Sequence, residues 1–241
     1  MRCKKSCGLG QEASRRQNAR RAWLAHCSAL LVSAAAPGLA AAQAAAAAAA
    51  PSLPALLVVG DSLSAEYGLP RGSGWVALLE RRLAQEGLRW RVVNASISGD
   101  TTAGGRSRLP ALLQREKPAV VLIELGGNDA LRGLPLQSTR DNLLAMTRAS
   151  KAAGARVLIA GMQMPPNYGR RYGEEFAGLF AEVAKAEGTA LVPFFLAGVA
   201  DGPNPEALFQ SDRIHPVAAA QPRMLDNVWP ALRPLLVAAR R

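Results

Sequence analysis

Five short apolar runs, each followed by turn residues and separated from the next by a stretch of helical spacing, constrain this chain more than any other feature. They are Ala55–Val59, Arg91–Ile97, Ala119–Leu125, Arg156–Met162 and Ala190–Pro193. Runs this brief and this rich in Val, Ile and Leu read as strands buried on both faces, because the apolar–polar alternation of a one-sided sheet is missing. Between them, apolar residues recur three and four positions apart. Trp75, Val76, Leu78, Leu79 and Leu83 form one such stripe, and Tyr172, Phe176, Leu179, Phe180 and Val183 another. Thr139–Ala153 is a further helix with Gly154 as its stop, and a last helix begins near Pro222 and buries Leu225, Val228, Trp229 and Leu232. Strands alternating with helices predict an α/β fold, a parallel sheet covered on both faces. In such sheets ligands bind beyond the carboxyl ends of the strands, so the chemistry is sought there.

The residues before the first run have another character. Arg2, Lys4, Lys5, Arg15, Arg16, Arg20 and Arg21 face a single acid, Glu12, and an apolar segment Trp23–Leu39 leads to small residues around Ala40–Ala44. Basic, then apolar, then Ala-x-Ala is the order of a secretory signal peptide, assigned to residues 1–44, and the apolar part is too short and small-sided to span a membrane well. Arg20-Arg21-Ala22-Trp23-Leu24 approaches a twin-arginine signal, and Leu24-Ala25-His26-Cys27 only loosely matches a lipid-attachment site. Residues 45–54 read as an Ala/Pro-rich linker. The roughly 190 residues beyond it suit one well-buried domain.

Removing the leader changes the charge argument. The chain has 29 basic and 18 acidic residues, net +11; residues 1–44 hold 7 and 1 of them, which leaves 22 and 17, net +5. Dispersed arginines, few aromatics and no basic run argue against a nucleic-acid surface. All three cysteines (Cys3, Cys7, Cys27) lie in the leader, so the remainder carries no disulfide. It also carries one histidine, His215, which excludes His/Cys zinc clusters, and no metal site is expected.

Three strand ends are polar. The first closes on Gly60-Asp61-Ser62, the second on Ser98-Gly99-Asp100-Thr101-Thr102 and the third on Gly126-Gly127-Asn128-Asp129. Ser211-Asp212-Arg213-Ile214-His215-Pro216 precedes the final helix. Acyl transfer needs an activated hydroxyl, a base of near-neutral pKa, a group that orients the base, and donors for an oxyanion. Ser62 is the candidate nucleophile. His215 is the candidate base, since an imidazole ordinarily titrates near ~6.5. Asp212, three residues earlier, can reach one ring nitrogen while the other faces Ser62. The expected oxyanion donors are the Ser62 N–H, the Gly99 N–H and the Asn128 side-chain amide. Other formats are absent: no Gly-x-Ser-x-Gly elbow, phosphate loop or His-Glu-x-x-His occurs, and no Gly-x-Gly-x-x-Gly follows any candidate strand.

Asp61, Asp100 and Asp129 read as turn and loop anchors. Glu124, in an otherwise apolar strand, needs a partner, and Arg106 or Arg108 is the expected one. Leu131, Leu134, Met164, Pro165 and Tyr168 follow the third and fourth strands and are candidate substrate contacts.

Gly60-Asp61-Ser62-Leu63, Gly99, Gly126-x-Asn128-Asp129 and Asp212-x-x-His215 resemble, block for block, the SGNH (GDSL) hydrolase family. The resemblance runs over residues 55–235, with 55–241 assigned to that domain. It is nearest the bacterial periplasmic thioesterase I, arylesterase and lysophospholipase group, through Val93–Thr101, Glu124–Asp129, Pro166–Tyr172 and Ile214–Pro216. It implies a flavodoxin-like three-layer α/β/α sandwich with a five-stranded parallel sheet. It further implies Ser62, Asp212 and His215 as the triad, with Gly99 and Asn128 in the oxyanion hole. The activity implied is hydrolysis of small-molecule acyl esters and thioesters, lysophospholipids included, through an acyl-enzyme, without a cofactor, by a periplasmic or secreted monomer. A carbohydrate O-deacetylase and a non-catalytic lipid-binding protein of the same fold stay open as alternatives. Two positions depart from the group: Glu66 and Arg213 stand where glycine is common.

Overall fold

Residues 53–239 of the computed structural model are described here. The leader and most of the linker therefore lie outside the described residues. The five apolar runs pair into one sheet: β1 Ala55–Gly60, β2 Arg91–Asn94, β3 Val120–Glu124, β4 Arg156–Ala160 and β5 Ala190–Val192. All neighbours are parallel, in the order β2-β1-β3-β4-β5. Every residue of β1 and β3 is buried, as continuous apolar runs require of central strands covered on both faces.

Among the described residues there are six α-helices: α1 Trp75–Gln85, α2 Thr102–Glu116, α3 Gly127–Leu131, α4 Leu136–Ala152, α5 Arg170–Glu187 and α6 Gln221–Ala238. α1 packs on α6, while α2, α4 and α5 pack side by side, which gives the expected three-layer sandwich. Trp75, Phe176, Phe180, Leu143 and Met146 are each fully buried, and each side chain of this size contributes roughly 2–3 kcal/mol by leaving water. Among the described residues no helix is long and apolar enough to cross a membrane.

The structure departs from the sequence reading at several elements: α3 is additional, α4 begins at Leu136 rather than Thr139, and β4 ends at Ala160 rather than Met162. β2 ends at Asn94, not Ile97, although Ala95 and Ile97 still donate to Val58 and Gly60 of β1 (2.9 and 3.0 Å); the Asn94 side-chain amide donates to the Ser64 carbonyl (2.7 Å). Helix α2 was not anticipated. It carries Gly104, Gly105 and Pro110, residues that weaken a helical signal, and it forms because Thr101 caps it through its hydroxyl (Gly104 N–H, 3.2 Å) and Leu109, Leu112 and Leu113 are buried.

This strand order has its switch point between β1 and β3, where successive connections leave in opposite directions and a crevice opens beyond the strand ends. Ser62 follows β1 and Asn128 follows β3.

Candidate active site

β1 delivers Ser62 to the carboxyl edge on a tight turn. Ser64 and Ala65 both donate their N–H to the Asp61 carbonyl (3.2 and 3.0 Å), and Tyr67 N–H donates to Ser62 (3.3 Å). Gly60 is required for this packing, since a Cβ there would lie 2.7 Å from Glu124 Oε2 and 2.8 Å from Ser64 Oγ. The Ser62 hydroxyl lies 2.9 Å from His215 Nε2, across 153 positions of sequence. His215 Nδ1 lies 2.6 Å from Asp212 Oδ2. A carboxylate only accepts, so Nδ1 carries the ring proton and Nε2 is free to accept from Ser62.

The Asp212–His215 turn is self-contained. Asp212 Oδ1 accepts the N–H groups of Ile214 and His215 (2.9 and 3.0 Å). Desolvation would raise the Asp212 carboxyl, but the His215 amide, the His215 ring and the Ile214 amide together bring it down to about 2. Gln210 ties this turn to the Ser62 turn: its backbone N–H donates to the His215 carbonyl (2.8 Å) and its side-chain amide to the Tyr67 carbonyl (2.9 Å). The Tyr67 ring then packs on His215, centroids 4.2 Å apart.

The expected oxyanion donors are arranged as follows. Neither Ser62 N–H nor Gly99 N–H has an acceptor among the described residues. Asn128 sits in α3 behind Gly126, whose φ of 124° and close approach to Phe180 suit only glycine. Its side-chain amide donates to Asp61 Oδ2 (3.0 Å). Gly99 is not among the residues lining the cavity described below; its carbonyl is held by Arg132 (2.7 Å), the neighbour of the lining residue Leu131.

Asp61 therefore does more than anchor a turn. Its Oδ1 accepts Leu63 N–H (3.0 Å) while Oδ2 holds the Asn128 amide, a role that no local sequence signal announces because the partners are 67 residues apart. Asp129 anchors α2 and α4 by accepting from Thr102 and Thr139, and Asp100 pairs with Arg108 (2.8 Å).

Glu124 corrects the expectation of an ion pair with Arg106 or Arg108. Its Oε2 accepts from Ser64 Oγ (2.7 Å) and Asp61 N–H (3.3 Å), with the Trp75 indole donating to the same Ser64 hydroxyl (3.2 Å). Arg108 is taken by Asp100 and backbone carbonyls, and Arg106 by Asn142 (3.1 Å). The register places Glu124 beside Gly60, on the Ser62 turn and away from α2. Burial, reinforced by the nearby Asp61 charge, pushes Glu124 well above the usual carboxylate range. Burial also pushes Asp61 up to about 6, against the Leu63 and Asn128 hydrogen bonds.

A folded-state pKa above the unfolded value means that the fold holds the proton more tightly, so this stability is present in acid and lost as pH rises through about 6. The carboxyls drawn downward, Asp212, Glu116 and Glu187, stay ionised over the same range. The melting temperature is thus expected to rise by roughly 2–4 °C between pH 7 and pH 5, the equivalent of ~1 kcal/mol. Calorimetry at the two pH values checks this, and a fall would contradict the upward shift of Asp61.

Ser62, Asn128 and His215 open into a cavity of about 630 Å³. Met162, Met164, Pro165, Phe194, Leu196, Phe209 and Leu131 supply its apolar wall. Of the five candidate contacts, Leu131, Met164 and Pro165 line it. Leu134 and Tyr168 do not. The chain turns at Gly133 (φ 64°) and leaves Leu134 36% exposed; Tyr168 ends a 3-10 turn and is 38% exposed. Phe194, Leu196 and Phe209 were not foreseen, because they come from the β5–α6 connection, which has no periodicity to read. Among the described residues no group of three or more His, Cys, Asp or Glu is placed to hold a metal ion.

Residues 58–221 match the GDSL-like Lipase/Acylhydrolase family. Esterase TesA of Pseudomonas aeruginosa is 60% identical over 181 residues, covering 75% of this chain and 89% of that protein. Thioesterase 1/protease 1/lysophospholipase L1 of Escherichia coli is 44% identical over 181 residues, covering 75% and 84%. The crystal structure of TesA superposes with a TM-score of 0.72 at 59% identity, covering 75% of this chain and 99% of that one.

Proposed function

The chain belongs to the GDSL-like lipase/acylhydrolase family, and on that premise we propose that Ser62, His215 and Asp212 carry its hydrolysis of acyl esters and thioesters. The observation that carries the assignment is the unbroken hydrogen-bond chain from Asp212 through His215 to Ser62, at 2.6 and 2.9 Å.

Ser62 Oγ attacks the acyl carbon as His215 Nε2 takes its proton. Asp212 holds the ring in the required tautomer and stabilises the imidazolium that results. The carbonyl oxygen becomes an oxyanion, received by the Ser62 and Gly99 N–H groups and the Asn128 amide. Asp61 positions that amide. Collapse expels the leaving alkoxide or thiolate, which takes the proton from His215, and leaves Ser62 acylated. Water, deprotonated by the same imidazole, then attacks the acyl carbon, releasing the acid and restoring the hydroxyl. The apolar cavity wall suits an acyl chain, and the substrates we infer are aryl and alkyl esters, acyl-CoA-type thioesters and lysophospholipids.

We further propose that residues 1–44 direct export and are removed, and that the mature chain acts as a monomer in the periplasm or outside the cell. The basic–apolar–small order of the leader supports export, and the triad and oxyanion groups all come from one chain. One experiment tests both readings: labelling fractionated cells with a fluorescent fluorophosphonate. The expected result is a labelled band in the periplasmic or secreted fraction, at the mass of the chain without its leader and absent from Ser62→Ala cells. A protein that resists the reagent is not a serine esterase of this mechanism, and a band of full-length mass in the cytoplasm removes the export reading.

A further inference from the structure

Arg213, two residues before the candidate base, is a charged side chain that the chemistry above leaves without a task. Its φ is 58°, in the left-handed region that favours glycine. The turn imposes this: Arg213 N–H donates to the Gln210 carbonyl (2.9 Å), and the next two N–H groups are taken by Asp212. The guanidinium contributes nothing to holding that turn. Its side chain is 79% exposed, and its one ion pair, with Glu206 at 3.8 Å, involves a carboxylate 77% exposed. A pair this open to water adds little stability. Yet both residues line the same cavity as Ser62 and His215.

Their position relative to the reaction gives them meaning. His215 must protonate the departing heteroatom, so the leaving group lies on the imidazole side of Ser62. Arg213 stands two residues from that imidazole, with Glu206 opposite. Asp201, also exposed, lines the cavity on the same connection and adds a second negative charge. A leaving group bearing only a phosphate would meet Arg213 favourably and the two carboxylates unfavourably. A neutral alcohol would use none of them. A group carrying both a phosphate diester and an amine satisfies Arg213 and Glu206 together, because guanidinium pairs with phosphate oxygens through two N–H groups while an ammonium replaces it as the partner of Glu206.

We propose that Arg213 and Glu206 form a charge-paired subsite that selects esters with a zwitterionic phosphate–amine leaving group. The proposal rests on the catalytic assignment of Ser62 and His215 and deepens it.

The test compares kcat/KM on three soluble substrates of one short acyl chain: an ethanolamine-headed lysophospholipid, a lysophosphatidic acid and a monoacylglycerol. All are held below micelle formation. In wild type the zwitterionic substrate is expected to lead. Arg213→Gln is expected to reduce the zwitterionic-to-neutral ratio about tenfold, with Arg213→Lys restoring part of it. Glu206→Gln is expected to reduce the zwitterionic-to-anionic ratio about tenfold, by weakening the first and improving the second. Ratios that stay within about twofold of wild type in both variants overturn the subsite. Ser62→Ala hydrolysing any of the three at about one per cent of the wild-type rate or more would instead overturn the catalytic assignment, so the two failures are distinct.

Discussion

Ser62→Ala is expected to lower kcat by about a million-fold, the scale seen when a triad serine is removed. The magnitude follows from what the hydroxyl does. Without Oγ no acyl-enzyme forms, and hydrolysis would have to proceed by unassisted attack of water on a carbonyl still held by the oxyanion donors. Those donors keep a residual acceleration of roughly 10³–10⁴ over water, so the loss is large but incomplete. Stability should change by no more than about 0.5 kcal/mol, because the half-buried hydroxyl has His215 as its one side-chain partner. The double variant Ser62→Ala, His215→Ala should be scarcely slower than either single one, since the two act as a unit. Steady-state kinetics together with thermal melts decide this. A Ser62→Ala protein that retains even one per cent of activity would place the nucleophile elsewhere.

Asp212→Asn is expected to reduce kcat about ten-thousand-fold while the fold is kept. The reason lies in how the carboxylate divides its two oxygens. Oδ1 accepts two backbone N–H groups, from Ile214 and His215, and Oδ2 accepts the ring Nδ1–H. An asparagine has one oxygen, and two backbone donors compete for it against one ring donor. The oxygen is expected to stay with the backbone, which turns the NH₂ group toward Nδ1. The ring must then carry its proton on Nε2, where it cannot accept from Ser62. The turn survives and the base is lost. Kinetics on a simple aryl ester measure the effect, and a loss below tenfold would mean that Asp212 does not set the tautomer.

How much of this was legible in the chain depends on the range of the interaction. β1 and β3 could be read because burial on both faces leaves no polar residue in the run, and the polar ends of those runs marked Ser62 and Asn128 directly. His215 stood out as the one histidine beyond the leader, with a carboxylate three residues before it. Relationships set by the register between strands were not legible. Glu124 was expected to pair with an arginine, because a charge in an apolar strand asks for an opposite charge nearby in sequence; the strand alignment instead delivers it to Ser64 and the Asp61 amide. The Asp61–Asn128 bond was hidden for the same reason. Helix α2 was masked by composition, since glycines and a proline suppress its local signal while tertiary burial of three leucines restores it. Leu134 and Tyr168 show the limit of arguing from proximity in sequence: both follow a strand end closely, but one turn of chain carries them out of the cavity.

The two halves of the triad hang from supports of unequal stiffness. Ser62 issues directly from a strand whose every residue is buried between neighbours on both sides. Asp212 and His215 sit on a turn late in a long connection: its start is pinned by buried Phe195 and Val199 and by Asn227, and the turn itself by the isolated bridge between Phe209 and Pro216, the Val217 N–H on the Leu208 carbonyl and the hydrogen bonds of Gln210. The placing of the imidazole against the serine is thus set by that turn and not by the pairing of the strands. For anyone seeking a hardier catalyst, bracing the span from Phe209 to Pro216 acts on the imidazole directly, whereas further reinforcement of the interior acts on the serine's side alone.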